Sequence, residues 1–213
     1  MSEADTKLST DHSVQSIEDL ERLYKPVNPN SLAKEASYLT PAYRKWIERA
    51  PFFALATSGL DGLDCSPRGD RSDHVLRILD DRHIAIPDRR GNNRLDSLRN
   101  IIADPRVAML FLIPGILECV RINGTASIST DPDLLRLFDG EANLPTTVIV
   151  VRLEAVYFQC ARALMRSKLW EADSQASRDQ VPTAGQMTKS ALPDFDADTY
   201  DGALRARQKR TLY

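Results

Sequence analysis

From Phe52 onward the sequence is a succession of short, strand-like apolar runs separated by turn signals rather than by regular helices. Two pairs of runs flank short polar turns, which is typical of β-hairpins. The predicted strands are Phe52–Thr57, Leu63–Arg68, Val75–Leu79, His83–Ile86, Val107–Ile113, Leu117–Ser129 and Thr146–Phe158. This pattern favours an antiparallel β-barrel with peripheral helices and argues against a doubly wound parallel sheet.

Two residues within these runs interrupt regular pairing. Pro67 has no N–H to donate to a neighbouring strand, which predicts that Ser66–Asp70 lies at a strand end, a sheet edge or a bulge. Gly124 is central in its long strand, which predicts a bend, a bulge or a close backbone approach.

Helices are predicted mainly around the strands, and they suggest a domain organisation. Three helices are predicted with both ends, Ile17–Tyr24 with Ser16 as N-cap, Ser31–Ala36 and Ala161–Trp170. Three more are predicted from their starts, at Thr40 as N-cap with Pro41 as the first helical residue, at Asn92-Asn93, and at Asp131-Pro132. We expect a disordered N-terminus at 1–15, N-terminal helices at 16–50, a barrel at 51–170, and a polar tail or partner-wrapping arm at 171–213.

The strand at His83–Ile86 leads into an arginine-rich turn and then a helix. Arg89, Arg90 and Arg94 surround the helix start, and Gly91 allows a tight turn. Asn93 is a candidate N-cap, with Asp96 three residues later resembling a capping box. Unpartnered N–H groups at a helix start, together with guanidinium groups, favour phosphate binding. The alternative is a solvated turn that neighbouring aspartates neutralise.

Composition narrows the class of protein. The net charge of −2 and a pI near 6.0 argue against a nucleic-acid-binding domain. The three cysteines are far apart and form no metal-binding motif, so we expect small buried residues rather than zinc ligands or disulfides. No apolar run approaches the length of a membrane span, and the start of the chain lacks an apolar signal region, so a soluble cytoplasmic protein is expected.

Four segments resemble the pyridoxamine 5'-phosphate oxidase-related flavoproteins, which are FMN-binding split-barrel proteins. They are FFALATSGLDGLDCSPRGD (52–70), HIAIPDRRGNNRLDSLRNIIADPRVAMLFLIPG (83–115), RINGTA (121–126) and ARALMRSKLW (161–170). The match is closest to a bacterial subgroup of that family. Two features of the true oxidases are missing, the RxxLLK flavin strand and the substrate-binding C-terminal segment with arginine and histidine. This counts against vitamin B6 oxidation and leaves the substrate open.

The resemblance implies a homodimer with FMN in a groove between the subunits. It implies flavin contacts at Ser66 and Arg68, and a phosphate site at Arg89 or Arg90 with Asn93 and Arg94. Lys168 and Trp170 would help to close the pocket. They would do so either in their own subunit or in the pocket of the partner subunit.

The implied function is an FMN-dependent oxidoreductase acting on an unknown small molecule, with the flavin carrying the reaction. No nucleophilic triad is indicated, and no metal, nucleic acid or membrane is expected to bind. The alternatives are a non-catalytic flavin-binding or redox-sensing protein, and a split barrel that uses haem or a deazaflavin.

Overall fold

The computed structural model describes residues 12–60, 62–89, 91–140 and 144–211. The chain divides into two compact units, Met1–Glu35 and Ala36–Tyr213. Part of the predicted disordered N-terminus, residues 1–11, lies outside the described residues. The domain boundaries expected from the sequence stay predictions.

From residue 12 onward, the first unit contains two short helices, α1 (Ile17–Leu23) and α2 (Pro29–Ala33). Ser16 caps α1 as predicted, since its hydroxyl accepts a hydrogen bond from the Asp19 N–H at 3.1 Å. The second helix starts earlier than predicted. Asn28 is its N-cap and Pro29 its first residue, because proline's fixed φ suits the first helical turn.

The second unit is built on one antiparallel sheet of seven strands. The strand order is β2-β1-β5-β6-β7-β4-β3, so β2 and β3 are the two edges. The strands are β1 (Phe52–Gly59), β2 (Gly62–Gly69), β3 (Arg77–Ile78), β4 (His83–Asp88), β5 (Arg106–Leu112), β6 (Cys119–Ser129) and β7 (Thr147–Gln159). The expected mainly β, antiparallel fold with peripheral helices is confirmed, and the sheet is not closed.

Helices precede, interrupt and follow these strands along the chain. They are α3 (Pro41–Ile47), α4 (Asp96–Ala103), α5 (Pro132–Arg136), α6 (Arg162–Ser167), α7 (Ala184–Ala191) and α8 (Ala197–Thr211). The last two pack against each other, and Asp201 joins them by accepting from the Gly185 N–H at 2.8 Å. In the described part of the chain, no helix is both long and apolar enough to cross a membrane.

The main core lies on one face of the sheet, where alternate residues of the central strands are fully buried, and a smaller cluster of Ala85, Phe138 and Val148 is buried beside α5. Phe53 of β1 and Phe111 of β5 pack in the main core with ring centroids 4.7 Å apart. The irregularity predicted at Gly124 is confirmed, because the β6–β7 register shifts between Asn123 and Gly124. A Cβ at Gly124 would lie 2.2 Å from the Arg152 carbonyl oxygen, so only glycine allows this approach.

Two further predicted helix boundaries were wrong, and left-handed backbone explains both. Asn93 and Leu95 have φ of 57° and 61°, so α4 begins at Asp96 with Leu95 as its N-cap, and Asn93 forms no capping box. Likewise α6 ends at Ser167, because Lys168 has φ of 51°. A left-handed residue cannot continue a right-handed helix.

The expectation of three buried cysteines was also wrong. Cys119 is buried, and burial raises the pKa of its thiol, whereas Cys65 and Cys160 are exposed. Cys65 is exposed because it lies on the outward face of the edge strand β2.

Candidate functional site

Three polar side chains share the inner face of β2. Asp64, Ser66 and Arg68 alternate with exposed residues and are half-buried. Their register partners on β1 are Thr57, Leu55 and Phe53. Because successive side chains in a strand point to opposite faces, all three lie on the core side, where α4 packs against β1 and β2.

The turn before α4 lies opposite these residues. Its backbone is shaped by an Asx-type bond, in which the Arg94 N–H donates to the Asn92 side chain at 3.1 Å. Leu95 then serves as N-cap, and no described side chain caps the helix there. The first N–H groups of α4 therefore stay available, and they carry partial positive charge.

A cavity of about 650 Å³ lies between β2 and this turn. Five of the eight predicted site residues line it: Ser66, Arg68, Arg89, Asn93 and Arg94. A sixth, Arg90, lies outside the described residues. Cavities that bind small molecules occupy about 300–1,000 Å³, so this one has the size of a cofactor site.

A smaller cavity of about 230 Å³ adjoins the first and shares Pro67, Arg68, Arg89 and Gly91 with it. Its other lining residues include the apolar side chains of Val75 and Ile86. The side chains of Arg68 and Arg89 therefore contribute to the walls of both cavities.

Arg68 is largely buried and incompletely bonded. Its Nη1 donates to Asp88 Oδ1 at 3.1 Å, and the two side chains are 21% and 17% exposed. The Nε atom of Arg68 is buried and has no hydrogen-bond partner among the residues that the structure describes. An unsatisfied buried donor is costly, and it calls for a partner such as a ligand.

Arg89 is more deeply buried and is engaged by the protein. Only 7% of its side chain is exposed, its Nε lies 3.3 Å from Asp70 Oδ2, and its Nη2 donates to the His74 carbonyl at 3.2 Å. We call the pairs Arg68–Asp88 and Arg89–Asp70 the ion-pair clasp. The clasp joins the ends of β2 and β4, which are not neighbours in the sheet.

Arg94 lies at the mouth of the larger cavity in a much looser pair. Its Nε is 2.7 Å from Asp96 Oδ2, and its side chain is 74% exposed. Exposed ion pairs contribute little free energy because water screens them, so Arg94 can exchange this partner for a ligand.

Ser97 is a site residue that the sequence did not reveal. Only 5% of Ser97 is exposed, and its hydroxyl donates to Asp64 Oδ2 at 2.6 Å. Its oxygen also lies 3.1 Å from the Ser66 hydroxyl oxygen. All three residues line the larger cavity. The alternation along β2 was a usable signal for Asp64, which shares a face with Ser66 and Arg68.

The remaining two predicted site residues lie elsewhere in this chain. Lys168 pairs with Glu171 at 3.8 Å, and Trp170 donates its indole N–H to the Ile116 carbonyl at 2.8 Å. Neither lines the described cavities. Within the described ranges, no group of three or more His, Cys, Asp or Glu side chains is arranged to hold a metal ion.

The family model for pyridoxamine 5'-phosphate oxidase matches residues 39–160, which include the seven described strands and every described residue that lines the larger cavity. The chain belongs to the pyridoxamine 5'-phosphate oxidase family. The open seven-stranded sheet is consistent with the split-barrel fold of this family. No curated protein matches the chain.

Solved structures with a similar fold come from several bacteria. A HupZ variant of Group A Streptococcus is 18% identical over 56% of this chain and 98% of its own, with a TM-score of 0.48. A provisionally assigned pyridoxamine 5'-phosphate oxidase of Lactobacillus delbrueckii is 21% identical, with coverages of 57% and 95% and a TM-score of 0.45. The FAD-binding protein of Mycobacterium smegmatis is 12% identical, with coverages of 58% and 97% and a TM-score of 0.40.

Proposed function

We propose that this chain binds FMN in the larger cavity and acts as an FMN-dependent oxidoreductase on a small molecule. The observation that carries the proposal is the unsatisfied buried Nε of Arg68, in a cavity wall that also holds the uncapped start of α4. Membership of the pyridoxamine 5'-phosphate oxidase family supports it.

The donors of the cavity fit an anionic cofactor. Arg94 and the first N–H groups of α4 would hold the phosphate, with Asn93 shaping the turn that presents them. The half-exposed Asp96 would give up its place on Arg94 at little cost in free energy. Arg89 is committed to Asp70 and His74, so we assign it the support of this wall rather than the phosphate. Arg90 stays a predicted phosphate ligand.

Bound FMN supplies transfer of a hydride or an electron pair, and the protein orients and tunes it. Ser66 and Arg68 are two residues apart on the same face of β2 and would lie beside the ribityl chain and the ring. A guanidinium near the ring would stabilise the negative charge of the reduced flavin. Asp88 fixes the position of that guanidinium through the 3.1 Å bond to Nη1.

We further propose a homodimer in which the partner subunit completes the site. The outward face of β2, β1 and β5 carries a contiguous uncharged patch of exposed and half-buried residues. Its residues are Phe52, Ala54, Ala56, Leu63, Cys65, Pro67, Ala108, Leu110 and Leu112. Contiguous apolar surface of this kind is typical of protein interfaces. Lys168 and Trp170, which lie outside the cavities of their own chain, would then serve the partner's site.

The first test is the absorbance spectrum of the purified protein, with mass spectrometry of whatever denaturation releases. Released FMN, or uptake of added FMN by a colourless protein, supports the proposal. A colourless protein that fails to bind added FMN refutes it.

The second test replaces single arginines. Arg94→Ala should weaken FMN binding by about 1.5–3 kcal/mol, or roughly 10- to 140-fold, because it removes a charge-assisted bond to phosphate. Arg99 is the matched control, since it is exposed on α4 and lies outside the cavity lining. Equal affinities of the Arg94→Ala and Arg99→Ala variants would contradict the role of Arg94.

Turnover separates the oxidoreductase from a flavin-binding protein that does not catalyse. Steady oxidation of NADH or NADPH with any electron acceptor supports the enzyme. A bound flavin that neither nicotinamide reduces supports the non-catalytic alternative.

A further inference from the structure

We propose that Ser66 is an obligate hydrogen-bond acceptor toward the ligand, and that Ser97 and Asp64 are the positioning residues that make it so. The assignment rests on the proposed function and names the part of the cofactor that Ser66 recognises. That part is a hydrogen-bond donor, a hydroxyl or an N–H group, and not the phosphate.

The argument begins at Asp64, because a carboxylate accepts hydrogen bonds and has no proton to donate. Asp64 Oδ2 lies 2.6 Å from the Ser97 hydroxyl oxygen, so the proton in this bond belongs to Ser97. The distance lies in the range of charge-assisted O–H···O⁻ bonds, which are stronger than neutral ones. Ser97 is buried, so water competes little for its single proton.

The direction of the next bond follows from the first. Ser66 and Ser97 have hydroxyl oxygens 3.1 Å apart, and geometry alone permits either to donate. Because the Ser97 proton is already directed to Asp64, the proton between the two serines must come from Ser66. The three groups therefore form one chain of defined polarity, in which Ser66 donates to Ser97 and Ser97 donates to Asp64.

The consequence for the cavity is chemical selectivity along one strand. The proton of Ser66 is used inside the protein, so its oxygen offers only lone pairs to a ligand. A dianionic phosphate also offers only lone pairs and cannot bond to it. Arg68, two residues further along β2, offers only donors. The wall thus accepts hydrogen bonds at Ser66 and donates them at Arg68, and a matching ligand must carry both types of group.

The experiment measures dissociation constants for FMN and riboflavin at pH 8, where a phosphate monoester is dianionic. The ratio of the riboflavin to the FMN constant reports what the phosphate contributes. Ser66→Ala should raise the dissociation constants of both flavins by the same factor, roughly three- to tenfold for one hydrogen bond. The ratio of the two constants should therefore stay unchanged. Arg94→Ala is the positive control, since it should lower the ratio.

The other outcomes overturn the assignment. A lower ratio in Ser66→Ala would mean that Ser66 donates to the phosphate. Unchanged constants for both flavins would mean that Ser66 does not contact the ligand. If the unaltered protein binds neither flavin, the proposed function itself fails, which is distinguishable because the other outcomes require binding.

A double-mutant cycle tests the positioning role of Ser97. Ser97→Ala should raise the dissociation constants of both flavins by about threefold in the unaltered background, because the Ser66 hydroxyl then loses the acceptor that orients it. In the Ser66→Ala background it should cause no further loss, since there is then no hydroxyl to orient. Equal losses in the two backgrounds would show that Ser97 acts by packing α4 on β2, and would overturn the chain of bonds.

Discussion

Replacing Asp88 with Asn removes one charge from the ion-pair clasp while keeping the shape of the side chain. A neutral amide leaves the Arg68 guanidinium without its counter-ion in a site where each side chain is only about one-fifth exposed. Breaking a fully buried pair costs about 3–5 kcal/mol, and an exposed pair is worth about 0–1 kcal/mol. We expect Asp88→Asn to lower the free energy of unfolding by about 2 kcal/mol.

Urea unfolding at pH 7 measures this change. With a denaturant dependence of about 2 kcal/mol per molar, the midpoint should fall by about 1 M. The matched control is Glu154→Gln, which also changes a carboxylate to an amide. Glu154 Oε1 lies 2.6 Å from Arg152 Nη2, but the side chains of Glu154 and Arg152 are 44% and 59% exposed. The unfolding midpoint of the Glu154→Gln variant should therefore not move.

Adding Arg68→Met to Asp88→Asn closes a double-mutant cycle. The double variant has no unpaired charge at this site. Its loss in the free energy of unfolding should therefore be at least about 1 kcal/mol smaller than the sum of the losses in the two single variants. Equal midpoints for Asp88→Asn and Glu154→Gln, or additive losses in the cycle, would refute the idea that the clasp holds β2 to β4.

Two further predictions concern backbone packing and a surface carboxylate. Gly124→Ala should lower stability by about 1–3 kcal/mol in urea unfolding because its Cβ meets backbone, whereas Gly202→Ala, with open space in α8, should not destabilise. Hydrogen bonds from Arg106 lower the pKa of Asp104 to about 2, so its contribution to stability is present above its ordinary value near 3.8 and is lost as the pH falls toward 2. In an NMR titration, Arg106→Gln should raise that pKa.

The sequence predicted the strands well because their signals are local. Period-two alternation and turn residues located all seven strands of the described sheet. Pro67 lies on the edge strand β2, and a sheet edge was one of the three positions predicted for it. The strand Val75–Leu79 was overestimated, since β3 contains only Arg77–Ile78. The reason is that Val75 and Leu76 are buried by packing outside any strand, which a periodic apolar pattern cannot distinguish.

The candidate site was predictable only in part, for a physical reason. Five predicted residues do meet at one cavity, because they lie on β2 and in the turn before α4. The partners of those residues come from far along the chain. Asp88 is twenty residues from Arg68, and Ser97 is thirty-one from Ser66. The position of Ser97 depends on the left-handed Leu95, and leucine's own preferences give no signal for that conformation.

An open sheet leaves two edges, and unpaired edge strands invite other chains to add to them. Here one edge, β3, is only two residues long, and the other, β2, contains a proline. Short edges and proline both hinder strand addition, because they offer few donors in register. The open sheet of this protein therefore offers little edge for strand addition, and Pro67, which lines both cavities, also limits the pairing of β2 with another chain.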